Sequence, residues 1–383
     1  MSRPFSRKLG RRVSLTVLAL LLTFGVLELG ARAWLHWFAS EQDFLDCASI
    51  AQLRARFGEF ERFRAHRHLG FALAPDYKKG NNRHNALGFR GEEIAIEKAA
   101  GTVRIACCGD STTYGEDVDD YKLSMPYLLE QALRGQGHHV EVINAGCPGW
   151  TTLETLINFE TRLLELQTDF IVVCHGMNDA LTRIVWPHSA YRADYSGWLR
   201  RDEHVREASL LETSTLARIL LVESGRIQPH GSIMRIIGDA PETCHTFAFQ
   251  AQRKAGAYPD GVFRDVPIER MMETNPPVFF ERNLRSLMAL AAANGTRVVL
   301  ATFAFSRDLQ FRLRPYQGHP ALQAAIEQTN AIVRRLGQET QTEVVDFERE
   351  LVATELFTDG MHFTEAGNRV RAERLRQVFK ARL

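Results

Sequence analysis

The stretch Val103-Arg104-Ile105-Ala106-Cys107-Cys108-Gly109-Asp110-Ser111-Thr112 decides how the chain is read. Val103 to Cys108 is an apolar run broken only by Arg104, as in a strand buried on both faces of a sheet. Gly109 allows a tight turn, and Ser111 follows where a strand ends and a helix begins. The same rhythm continues downstream. Helical spacing covers Leu123 to Leu133, and Val140 to Ala145 is a second strand. A helix over Thr152 to Leu166 precedes a third strand, Asp169 to Cys174. Then come a helix over Phe280 to Ala293, a strand over Arg297 to Phe303 and a helix over Ala321 to Leu336. A short strand, Glu343 to Phe347, and a closing helix, Thr364 to Phe379, complete the pattern. Strands alternating with helices predict a parallel sheet in a three-layer α/β/α sandwich.

Open parallel sheets build their sites at the carboxyl ends of strands. Here those ends carry Gly109-Asp110-Ser111-Thr112, then Asn144-Ala145-Gly146-Cys147-Pro148-Gly149, then His175-Gly176-Met177-Asn178-Asp179. Asp359-Gly360-Met361-His362 lies just before the last helix. Acyl transfer needs a nucleophile, a base, an orienter for the base and donors for an oxyanion. Ser111 can present its hydroxyl, His362 can take its proton, and Asp359 can hold the imidazole from the same loop. The N–H groups of Ser111 and Gly149 and the amide of Asn178 can donate to the oxyanion. A glycine at 149 lets the backbone approach closely.

These four blocks, in this order over residues 102–383, resemble the SGNH hydrolases, also called the GDSL esterase/lipase family. The resemblance implies Ser111 as nucleophile, Asp359 and His362 completing a triad, and Gly149 and Asn178 completing the oxyanion hole. It implies hydrolysis of an ester, in an acylated carbohydrate, a lipid or a small molecule, through an acyl-serine intermediate. It implies no metal or other cofactor. An O-acyltransferase acting on an exported glycan would use the same triad. A non-catalytic binding or scaffold protein would be expected to lack Ser111 or His362. Thr112 stands where Leu often follows the serine, and the G-x-S-x-G elbow of classical α/β-hydrolases is absent.

Isolated residues need weighing against ordinary structural roles. A serine after Gly-Asp is usually a turn or cap residue; only the partner blocks raise Ser111 above that. Asp110 reads as fixing the turn and Asp179 as bracing its loop. Gly146 serves the turn. His175 suits packing as well as it suits lining the site, and His138-His139 reads as solvated. Cys107 and Cys108 alternate between the faces of a strand and form no metal-binding spacing. Cys147 lies near the oxyanion loop.

Residues 1–12 carry Arg3, Arg7, Lys8, Arg11 and Arg12 and no acid. Val13 to Leu27 is uncharged and apolar; Glu28 and Arg32 interrupt the continuation to Trp34, Trp37 and Phe38. This predicts residues 1–38 to be a cytoplasmic tip and signal anchor meeting the membrane through 13–38, provided Glu28 and Arg32 reach outward. Catalytic residues would then face the exterior of a bacterial inner membrane. Ala31-Arg32-Ala33 also fits a cleavage site, which would release a secreted protein. Residues 39–100 form a lead-in with a turn at Asn85-Ala86-Leu87-Gly88-Phe89-Arg90-Gly91, packing on a hydrolase domain over 101–383. An insertion at about 180–277, including Trp186 and Trp198, breaks the rhythm and is read as a cover over the strand ends.

The 383 residues include 47 Lys and Arg against 46 Asp and Glu, for a net charge of +1. That balance gives no basic surplus for nucleic acid. With 23 Phe and low net charge the chain is not disordered. Six cysteines in this length make no disulfide scaffold. Oligomeric state leaves no mark in the sequence.

Overall fold

The computed structural model describes residues 5–57, 62–66, 68–185, 191, 209–227, 229, 268–309 and 320–383. Trp186 and Trp198 lie outside the described residues. The chain divides into two compact units, residues 1–60 with 203–235, and residues 61–202 with 236–383.

In the first unit, helix α1 (Phe5–Trp37) is followed by α2 (Glu41–Cys47) and α3 (Ile50–Phe57). Over Arg12–Trp37 it is long and apolar enough to cross a membrane, and its most apolar part is not buried by the protein. Ser40 and Asp43 form a capping box that starts α2. A small core joins Leu35, Phe44, Leu45, Cys47, Ala48 and Leu53. Ile219 and Val222 pack on it from a helix over Thr215–Glu223, called α8 below. Helix α8 of the 180–277 segment thus packs inside the N-terminal unit, where Ile219, Val222 and the buried Arg218 serve that core. Residues 41–57 of the lead-in belong there too.

The second unit opens with two antiparallel pairs. Strands β1 (Phe63–His66) and β2 (Gly70–Leu73) form one, and β3 (Lys78–Lys79) and β4 (Asn82–Arg83) the other. The alternating Arg and Phe of this stretch carry no long apolar run, so these strands are not legible in the sequence. The main sheet contains β5 (Val103–Gly109), β6 (Val140–Gly146), β7 (Phe170–Cys174), β8 (Arg297–Ala301) and β9 (Glu343–Val345). Its order is β6-β5-β7-β8-β9 and every pairing is parallel.

The linking helices are α4 (Ser111–Tyr114), α5 (Met125–Arg134), α6 (Thr152–Asn158) and α7 (Met177–Val185). After α8 come α9 (Ile268–Thr274), α10 (Val278–Ala293), α11 (Pro320–Thr340), α12 (Phe347–Glu350) and α13 (Glu365–Lys380). The helix expected over 152–166 ends early. After Asn158 the chain widens into a π-turn over Phe159–Leu163, closed by Leu164 N donating to Phe159 O at 3.1 Å.

The sheet is covered on both faces. Ile105, Cys107, Phe170 and Val172 join one core with Leu129 of α5 and Leu375 of α13. Ala106, Cys108, Ile171 and Val173 join the other with Phe159 and with Leu284 of α10. Strand geometry sends successive side chains to opposite faces, so Cys107 and Cys108 part. Both are small buried residues. Arg104, the one charge in the founding run, is fully buried. It donates to Glu141 Oε2 at 2.6 Å and to the carbonyls of Leu166 and Ala95.

Candidate active site

β5 ends at Gly109, and Asp110 caps the short helix α4 that begins with Ser111. The Asp110 carboxylate accepts from Thr112 N at 2.9 Å and from Thr112 Oγ1 at 2.8 Å. It is fully buried, and burial raises its pKa above the usual carboxylate value against those bonds. Asp110 therefore shapes the turn. A Cβ at Gly146 would collide with the backbone of Thr113 and Tyr114, so this glycine lets α4 lie directly against β6.

The loop after a short turn at Thr354–Leu356 brings Asp359 and His362 to Ser111, about 250 residues away in sequence. His362 Nε2 lies 2.9 Å from Ser111 Oγ, and His362 Nδ1 lies 2.9 Å from Asp359 Oδ2. The other aspartate oxygen accepts from the N–H groups of Met361 at 2.8 Å and His362 at 2.7 Å. Burial disfavours the Asp359 charge, but the His362 ring and these donors outweigh it and hold the carboxyl at about 2. Burial likewise disfavours imidazolium at His362. The Asp359 hydrogen bond and charge, helped by Asp117 and Glu116, outweigh it and raise the pKa. A hydroxyl, an imidazole and a carboxylate in one line can move a proton off the hydroxyl.

The second strand end turns at Gly149, whose φ of 84° is in the left-handed region that favours glycine. Asn178 is the second residue of α7, and its Nδ2 donates to Trp150 O at 2.8 Å. That bond ties the amide to the residue after Gly149 and leaves its second hydrogen free to point elsewhere. Among the described residues, the N–H groups of Ser111 and Gly149 have no protein acceptor.

Two neighbours that sequence reading weighed turn out to be framework. Asp179 accepts from Thr152 Oγ1 at 2.6 Å and from Thr152 N, joining α7 to the start of α6. His175 is buried, with Nε2 at 2.7 Å from Thr155 Oγ1. Cys147 is also buried.

Other supports went unnoticed. Arg90 Nη1 donates to the carbonyls of Tyr114 at 2.6 Å and Gly115 at 2.8 Å, and its Nη2 donates to Val118 O. It thereby closes the C-terminal end of the Ser111 helix. Arg90 lies in the turn motif of residues 85–91, which was the available signal. Arg371 of α13 is fully buried and donates to Thr112 O at 2.7 Å. Nothing distinguishes it in sequence from the arginines around it. Asp117 accepts a hydrogen bond from Thr358 Oγ1, joining the loop after α4 to the loop that carries His362. Oxygens of Asp117 and Asp359 and a ring nitrogen of His362 lie within 4.8 Å of one another.

A five-stranded parallel sheet flanked by helices, with this serine at the end of β5, defines a hydrolase of the SGNH/GDSL fold that acts on ester bonds. The sequence profile described as GDSL-like Lipase/Acylhydrolase family matches residues 107–370, and the chain belongs to that family. No curated protein matches it in sequence. Among solved structures it is similar to a lipase/acylhydrolase from Enterococcus faecalis. Identity there is 18%, covering 73% of this chain and 97% of that one, with a TM-score of 0.42. A putative lipolytic G-D-S-L protein from Desulfitobacterium hafniense gives 14%, 72%, 99% and 0.40 for the same measures. An acetylxylan esterase from Geobacillus stearothermophilus gives 14%, 72%, 93% and 0.41.

Proposed function

We propose that the protein is a serine esterase in which Ser111 attacks an ester carbonyl while His362 takes its proton and Asp359 holds the ring. The observation that carries this reading is the continuous line Asp359–His362–Ser111, with both hydrogen bonds at 2.9 Å. Proton transfer to Nε2 frees the Ser111 oxygen to bond to the carbonyl carbon. The carbonyl oxygen becomes an oxyanion, for which the N–H groups of Ser111 and Gly149 and the Asn178 amide are the donors. Collapse expels the alcohol, which takes its proton from His362 and leaves an acyl-serine. Water, deprotonated by the same ring, then releases the acid and restores Ser111.

The substrate is an acylated carbohydrate, a lipid or a small ester. It meets the enzyme outside the inner membrane, to which residues 13–38 anchor the chain, with the hydrolase domain beginning near residue 101. The five cations of residues 1–12, ahead of the apolar run, support that orientation. Incubation with a fluorophosphonate should add one adduct, located by mass spectrometry on the Ser111 peptide. Ser111→Ala should lose both the adduct and p-nitrophenyl acetate turnover, the latter by about 10⁴-fold or more. An adduct elsewhere, or full turnover in a folded Ser111→Ala variant, overturns the assignment.

A further inference from the structure

Residues 209–223 are built inside out. In a helix facing water, charges point outward and leucines inward. Here Leu210 is 90% exposed, Leu211 66% and Leu220 60%, while Glu212 and Arg218 are buried at 4% and 3%. Both charged side chains are committed inward. Glu212 accepts from Ser209 N at 2.9 Å. Arg218 donates to Cys47 O at 2.6 Å, Glu212 O at 2.8 Å and Gln52 Oε1 at 2.8 Å. Ile219 and Val222 use the inner apolar face against the core around Leu35. The exposed leucines are therefore surplus to that core.

Glu28 fixes where this element sits along α1. Its carboxylate accepts from Thr215 N and Leu216 N, each at 2.9 Å, and from Ser214 Oγ at 2.7 Å. Arg32 Nε adds a fourth bond at 2.7 Å. Glu28 thus caps α8 rather than reaching outward to water, which corrects the expectation from the sequence. The first turn of α8 must lie at the depth of Glu28.

That depth follows from length. Between Arg12 and Glu28 an α-helix rises about 24 Å, less than the roughly 30 Å of hydrocarbon in a bilayer. With Arg12 among the inner headgroups, Glu28 lies at or below the outer edge of the hydrocarbon. A bare carboxylate there would be costly; four donors make it tolerable. Whatever shares that depth must offer lipid an apolar surface.

We infer that residues 209–223 form a second membrane-contacting element, lying in the outer interfacial layer beside α1 with Leu210, Leu211 and Leu220 against the acyl chains. The exposed Glu223 and Arg226 end this surface at its far side. The inference rests on α1 crossing the membrane. The partner is the lipid bilayer, because the surface is tied to α1 at Glu28, beside an apolar stretch of α1 that the protein leaves unburied, and carries no exposed charge between Leu210 and Leu220.

The test places the photo-crosslinker benzoylphenylalanine at position 210 or 211 of the full chain, and at position 20 as reference. The proteins are reconstituted in phosphatidylcholine/phosphatidylglycerol vesicles and irradiated. Lipid adducts at 210 and 211 should form in yields comparable with position 20. Lipid adducts at 20 alone, or protein–protein adducts at 210 and 211, overturn the inference while leaving the anchor intact. Absence of lipid adducts at position 20 instead overturns the anchor reading beneath it.

Discussion

His362 and His175 are both buried, both follow the carboxyl side of the sheet, and both have an aspartate one helical turn away in sequence. His362 lies 2.9 Å from Asp359, whereas His175 Nδ1 lies 4.0 Å from Asp179. Asp179 is spent on Thr152, and among the described residues His175 Nδ1 has no hydrogen-bond partner. Burial alone then governs His175 and lowers its pKa to about 3, while the pKa of His362 is raised. The same residue pair yields opposite proton affinities: Asp359 keeps its charge on the ring, with Asp117 and Glu116 beside it, whereas burial raises the Asp179 carboxyl well above its usual value and it offers His175 no hydrogen bond. A low dielectric penalises a charge that has no partner and strengthens one that does.

The strongest way to break this contrast is Asp359→Asn, which should make His362 resemble His175. The amide favours the wrong tautomer and removes the charge that supports imidazolium. We expect kcat to fall by about 10⁴-fold with the fold intact by circular dichroism. Retention of wild-type kcat and an unchanged pH profile would remove Asp359 as orienter.

Asn178 stands three residues from His175, yet its amide bonds to Trp150 O next to Gly149, the other proposed oxyanion donor. Asn178→Ala should lower kcat by about 10²- to 10³-fold, with less effect on KM, because the donor acts on charge that develops in the transition state. A rise in KM with kcat unchanged would assign the amide to substrate binding.

Asp117 sharpens the comparison from outside the triad. The wild-type acid limb should lie above 6.5, since His362 must be neutral to act and its pKa is raised. Asp117→Asn removes one supporting charge while keeping an acceptor for Thr358. The limb of kcat/KM should then move to lower pH, with only a few-fold change in plateau rate. An unmoved limb would confine Asp117 to holding its loop.

The smallest effect on activity belongs to His175. His175→Gln should leave kcat within about twofold and cost about 1–3 kcal/mol of stability by disturbing the bond to Thr155. The wild-type ring is neutral in the fold down to about 3 but protonates near 6.5 once unfolded. The unfolded state therefore binds more protons between those values, and His175 costs stability progressively as pH falls from 6.5 toward 3. Urea denaturation across that range should show a smaller acid loss in His175→Gln. An equal loss would place the acid sensitivity elsewhere.

The strand–helix rhythm and its order were legible because the central strands β5 and β7 are buried on both faces, which leaves apolar runs such as Phe170-Ile171-Val172-Val173. Ser111, Gly149, Asn178, Asp359 and His362 stand out as candidates in the sequence because the proposed chemistry requires those residue types at strand ends and turns. The N-terminal hairpins were not, since Lys78-Lys79 and Asn82-Arg83 are too short and polar to show a period. The same limit hid Arg90 and Arg371, whose worth lies in the carbonyls they reach across the fold.

By itself, the sequence determined the sheet, the family blocks and an apolar N-terminal segment, all of which depend on local pattern. Only the tertiary structure decided which histidine has a carboxylate within hydrogen-bonding distance, that Glu28 caps a helix nearly 190 residues downstream, and that Arg218 turns inward while Leu210 turns out. Those outcomes depend on where distant groups meet. Burial and hydrogen bonding are properties of the meeting place, not of either residue.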